Sequence, residues 1–163
     1  MFRVGPRFGQ AVSAALMLAI AGAFGGLAGL AHEGEEATEL EIVLADYTFE
    51  PQAVVLQAGQ AYRLRLVNRG TVEHELMVGR EPLPSAEGDE HGYRQNLLMA
   101  MEVAVRFDSG WVETMGLHEV GVGPGEEIVL TFTVPETARG DWEMGCFLPG
   151  HYELGMRGRL AVR

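Results

Sequence analysis

Apolar and polar residues alternate through most of the chain beyond residue 37. In "AYRLRLVNRG", residues 61–70, Tyr62, Leu64 and Leu66 share one face while Arg63 and Arg65 take the other. A period of two marks a strand with one buried side. "EEIVLTFTVP" (126–135) repeats the pattern, with Ile128, Leu130, Phe132 and Val134 facing inward against Val129, Thr131 and Thr133. "TELEIVLADYTF" alternates up to Pro51, "AVVLQAG" follows and turns at Gly59, and "HELMVG", "GDWEMGCF" and "MRGRLAVR" supply further short runs. No long stretch repeats apolar residues at helical period. Seven or more short strands punctuated by Gly and Pro predict an all-β antiparallel sandwich. A long insertion, Arg80 to Val122, precedes the C-terminal strands. It contains "EPLPSAEGDEHG", which predicts a loop, and "RQNLLMAMEVAVRF", which fits a strand or a short helix equally.

The start of the chain follows a different rule. Arg3 and Arg7 precede an apolar run from Ala11 to Leu30, which ends in "GLAGLA" before an abrupt change to "HEGEEATE". This is the pattern of a secretory signal with cleavage after Ala31, leaving 32–163 as one domain. The alternative is an uncleaved membrane anchor through 11–30, a run near the length that spans a bilayer. Both predict an exported domain, periplasmic or extracellular. The whole chain carries 12 basic and 23 acidic residues. Loss of 1–31 removes two arginines and no acids, a net charge of −13. Nucleic acid is excluded as a partner, since phosphate binding needs clustered positive charge.

An exported chain with a single cysteine forms no internal disulfide, so Cys146 needs another reason to exist. It is either a buried, inert thiol or a thiolate held by a metal. Its context, "CFLPGHYELGM", places His151 and Met156 at intervals of five. Thiolate, imidazole and a weak axial thioether together select copper, in a trigonal site that requires a second histidine. Of the five histidines, His74 is the apt one, at the start of a strand in "LVNRGTVEHELMV".

With these residues the chain resembles the cupredoxins, the blue copper proteins of plastocyanin and azurin type. "YTFEPQAVVLQAGQAYRLRLVNRGTVEHELMV" looks like the family's first strands and first histidine ligand. "VLTFTVPETARGDWEMGCFLPGHYELGMRGRLAV" looks like its C-terminal half. The four-residue gaps on either side of His151 resemble the ligand loops of rusticyanin and auracyanin. The resemblance implies a Greek-key β-sandwich or barrel holding one copper ion through His74, Cys146, His151 and Met156. Two positions depart from the family pattern: Glu75 stands where an asparagine ties the ligand loops together, and Glu73 where azurins have glycine.

Gly145 and Phe147 flank Cys146, so the histidine that relays electrons to a second centre in copper enzymes is absent, and a binuclear site would need a second cysteine. The resemblance therefore implies a monomeric one-electron carrier, cycling Cu(II)/Cu(I), and not an enzyme. A copper chaperone or storage protein is the alternative. A carrier's partner would be a redox protein, a cytochrome or an oxidase or reductase, docking on an apolar patch of Phe147, Leu148 and Pro149 around the His151 ring edge. His32 would begin the mature chain within an acidic tail. His91 reads as solvent-facing and His118 as a strand or turn histidine without metal, Met99, Met101 and Met115 as core or patch, and Trp111 and Trp142 as core or rim.

Overall fold

The alternating segments become strands in the computed structural model, which describes residues 36–83, 91–108 and 110–163. The predicted signal segment 1–31 and His32 lie outside the described residues. In chain order the strands are β1 (Thr38–Ala45), β2 (Thr48–Glu50), β3 (Ala53–Leu56), β4 (Ala61–Asn68), β5 (His74–Pro82), β6 (Tyr93–Asn96), β7 (Glu102–Phe107), β8 (Gly110–Met115), β9 (Val120–Val122), β10 (Glu127–Thr133), β11 (Gly140–Gly145) and β12 (Arg157–Val162).

They form two sheets, ordered β2-β1-β4-β10-β7-β8 and β3-β12-β11-β5-β6, with β9 added to β5. Tyr62, Leu64 and Leu66 of β4 and Leu130 and Phe132 of β10 are buried from one sheet. Leu76 and Val78 of β5, Met144 of β11 and Leu160 and Val162 of β12 meet them from the other. Arg63 and Arg65 point outward to Glu39, Glu41 and Glu127, as the alternation requires. The all-β sandwich is therefore as expected, but its sheets are mixed. β1 runs parallel to β4, and β3 parallel to β12. The physical reason is a change of sheet: the chain passes from β1 and β2 to β3 in the opposite sheet, then returns to lay β4 beside β1 in the same direction.

The segment expected as a long insertion is largely structured. β6 extends β5, while β7 and β8 extend the first sheet beyond β10. Strand and helix both occur in "RQNLLMAMEVAVRF": a short 3-10 turn, Leu98–Ala100, precedes β7. Leu97, Leu98 and Met101 are buried there, whereas Met99 and Met115 face solvent. Among the described residues no helix is long and apolar enough to cross a membrane.

Candidate metal centre

Asn68, the last residue of β4, sets the approach to the site. Its buried amide donates to the carbonyls of Val72 and Val122, both at 2.8 Å, and accepts the Gly70 N–H at 2.8 Å. These bonds fold residues 69–73 into a turn that delivers His74 to the start of β5, fully buried. Asp46, in the turn between β1 and β2, accepts from the backbone N–H and the hydroxyl of Thr71 at 2.8 and 3.0 Å. Those two bonds hold its carboxyl below the usual range, with His74 adding a smaller push the same way. Asp46 Oδ1 also lies 3.3 Å from His74 Nε2. A carboxylate on the outer nitrogen assigns the proton there and leaves Nδ1 free to ligate.

The other donors come from the loop between β11 and β12. Cys146 donates its backbone N–H to the Met156 carbonyl (3.1 Å), Met156 to that of His151 (3.0 Å), and His151 to that of Leu148 (2.9 Å). Gly150 and Gly155, at φ +84° and +103°, make the reversals that non-glycine residues resist. The loop thus closes on its own backbone. Cys146 is fully buried and its Sγ accepts the Glu75 N–H at 3.4 Å. Burial pushes the thiol up to about 11, against the pull of the Glu75 and Leu148 N–H groups.

His74 Nδ1, His151 Nδ1 and Cys146 Sγ converge. His151 Nδ1 stands 3.3 Å from each of the other two, and all three atoms lie within 4.8 Å of one another. Burial first, and then the neighbouring His74, hold the His151 imidazole below its ordinary value. Two donors bonded at about 2.0–2.3 Å to one ion sit roughly 3.3–4 Å apart, so this triangle has the size of a metal's first sphere. One thiolate with two imidazoles is a donor set that copper prefers. Met156 is fully buried, with backbone bonds to both Cys146 and His151.

Glu75, a departure from the asparagine of the family pattern, ties the ligand segments itself. Its Oε1 accepts the Phe147 N–H at 2.6 Å, while its own N–H reaches Sγ, so one residue joins the two ligand segments. It is 4% exposed, and burial raises its carboxyl above the usual range, partly offset by the Phe147 N–H. Glu73 faces solvent.

Two more neighbours were not anticipated from the sequence. Asp46 and Tyr47 lay inside an apparently continuous alternation. Tyr47 adopts φ +65°, and its ring meets His151 edge-on at 5.1 Å and His74 at 6.4 Å. The polar Asp46 at an expected apolar position was the one available signal of a turn. Around His151, Phe147 is half-buried and stacks on Tyr152 at 4.6 Å, and Leu148 packs against the core. Leu154 is the large hydrophobic side chain that the loop exposes, at 64%, and Pro149 is exposed too. His91 is exposed, as expected; His118 is exposed too, and both approach Glu119. Trp142 is a rim residue under the Arg80 guanidinium, 3.7 Å from its ring; the Trp111 side chain lies outside the described residues.

The family described as copper binding proteins, plastocyanin/azurin family, matches residues 36–163. Two curated proteins named "Copper-resistant cuproprotein CopI" are similar. The one from Pseudomonas aeruginosa is 27% identical over 154 residues, covering 82% of this chain and 80% of the relative. The one from Rubrivivax gelatinosus is 30% identical over 125 residues, covering 76% and 66%. Among solved structures, dithionite-reduced auracyanin from Roseiflexus castenholzii aligns with TM-score 0.50 and 20% identity, over 78% of this chain and 98% of that one. A nitrite reductase from Thermus scotoductus SA-01 aligns with TM-score 0.53 and 14% identity, but over 31% of its own length. At such identities the structural likeness shows the shared fold alone.

Proposed function

The chain belongs to the plastocyanin/azurin family of copper-binding proteins, and we propose that it is exported, holds one copper ion between His74, Cys146, His151 and Met156, and carries single electrons. Export is supported by the basic, apolar and small-residue order of 1–31, with 32–163 as the mature domain. Bound there, copper supplies a one-electron Cu(II)/Cu(I) couple. The chain's part is to keep the donors still. One observation supports carriage most: the donors are fixed by bonds that need no metal, namely Asp46 on His74, Glu75 on Cys146 and the self-closed 146–156 backbone. Fixed ligands rearrange little between oxidation states, so little reorganisation opposes exchange. His74, Cys146 and Met156 are buried and exclude water, and half-buried His151 is the route outward, beside exposed Leu154 and Tyr47. A redox protein would dock there through a small apolar contact that releases quickly.

Stopped-flow mixing of the copper-loaded domain with one-electron reductants and oxidants tests this. Reversible bleaching without copper loss is expected, and Leu154→Glu should slow exchange with a protein partner while leaving the spectrum unchanged. A domain that loses its copper on each reduction would refute carriage.

Copper tolerance is a second function, favoured by the names of both curated relatives. The chain would then protect by holding copper, and turnover with a partner would be unnecessary. Complementation of a deletion strain on copper separates the two. Under tolerance by holding, Leu154→Glu rescues growth as well as wild type and Cys146→Ser does not.

A further inference from the structure

Beside the copper centre a second group of metal-ligating side chains converges, none of them among the four ligands assigned above. A ligand atom from each of Glu75, His91 and Glu119 lies within 4.8 Å of the others. His91 Nε2 is 3.4 Å from Glu119 Oε2, and His118 Nδ1 is 3.3 Å from that same oxygen. The two imidazoles meet edge-to-face with centroids 5.9 Å apart. The residues come from three separate places: the start of β5, the approach to β6 and the approach to β9. β9 pairs Glu75 with Gly121, which brings the 118–119 corner alongside Glu75.

We propose that Glu75, His91, His118 and Glu119 form a second metal site for one borderline divalent cation, Cu(II) or Zn(II), whose occupancy is felt at Cys146 through Glu75. The donor chemistry sets the class of ion. Two imidazoles and two carboxylates offer nitrogen and oxygen without sulfur, which suits Cu(II) and Zn(II) and disfavours Cu(I). Two carboxylates also supply the charge that balances a divalent ion. As exposed hydrogen-bonded pairs, His91, His118 and Glu119 contribute little to folding, so stability gives no reason for His91 and Glu119 to converge on a buried carboxylate with His118 against Glu119. Three ligands at 42–52% side-chain exposure leave the site open to solvent and to rapid exchange, unlike the buried copper centre.

Glu75 makes the two sites neighbours. Its N–H points at Cys146 Sγ (3.4 Å) and its Oε1 takes the Phe147 N–H (2.6 Å), so its charge sits against the loop that carries the thiolate. A divalent ion on that carboxylate offsets the negative charge that favours Cu(II), and so raises the reduction potential of the copper centre.

The test uses copper-loaded protein, with Zn(II) in one arm and additional Cu(II) in the other. Equilibrium dialysis is expected to give one extra ion per chain, redox titration an upward shift with Zn(II), and paramagnetic resonance a second, tetragonal Cu(II) signal with copper. In the double variant His91→Gln/His118→Gln the blue band should persist while the affinity for the extra ion falls by at least about tenfold, since even outer-sphere changes cost about 10–100-fold. Binding by the double variant as tight as wild type would overturn the site and place the extra ion elsewhere. No extra ion bound by wild type would do the same. An extra ion that leaves the potential unchanged would overturn the coupling through Glu75. The blue band is recorded before any ion is added, so a failure of the copper assignment is distinguishable from a failure of this one.

Discussion

Replacing Glu75 by glutamine isolates a charge without breaking a contact. Glutamine keeps an oxygen to accept the Phe147 N–H, and the backbone N–H that reaches Cys146 Sγ is untouched. What disappears is one negative charge, 4% exposed. That carboxylate is bonded to the residue after Cys146, on the segment that carries the thiolate. At an effective dielectric of about 20, a unit charge at about 7 Å is worth roughly 2 kcal/mol. A one-electron couple moves about 59 mV for each tenfold change in equilibrium constant, so the full effect is roughly 100 mV and, with some water screening, roughly 50–100 mV. The sign is upward, because the lost charge favoured the oxidised ion. Protonation of Glu75 acts the same way. Its carboxyl lies above the ordinary carboxylate range, chiefly through burial, so the wild-type potential should rise as pH falls through that ionisation while the glutamine variant stays level. Spectroelectrochemistry across pH on both proteins, each first checked for an unchanged visible band, measures this. A glutamine variant with an unmoved or lowered potential would refute the charge argument.

Cys146→Ser should abolish the visible colour but leave the sandwich folded by circular dichroism, because the band arises from sulfur-to-copper charge transfer; a coloured serine variant would remove the thiolate from the site. Met156→Leu should keep the colour and raise the potential, and Met156→Gln should lower it, because a weak axial donor favours Cu(II). Potentials unmoved by either change would mean that Met156 is no ligand. Copper loading in weakly buffered solution at pH 8 should release about one proton per ion, since burial holds the metal-free Cys146 thiol at about 11 and His151 below its ordinary value. Release near zero would mean that the thiolate forms before the metal arrives.

Alternation and spacing alone are enough for most strands outside 80–122, for their buried faces, and for His74, Cys146 and His151, whose donor atoms meet. Period-two alternation in β4 and β10 is a local consequence of one sheet face meeting water, so Leu64 and Arg63 declare their sides without a structure. The spacing of Cys146, His151 and Met156 is equally local, since a single loop carries all three. The rest depends on partners distant in the chain. Asp46 is one more position in an alternating run until Thr71 and His74 fold against it. Glu75 is only a departure from the family's asparagine until β5 lays it against Phe147, 72 residues away, where a carboxylate oxygen accepts the same N–H an amide would. The parallel pairing of β1 with β4 comes from a change of sheet that alternation cannot encode, since both faces of a strand look alike whichever sheet it joins. Nothing local marks His91, His118 and Glu119 as a group. Their proximity to Glu75 exists only because β9 crosses back onto β5, a long-range pairing that no local pattern carries.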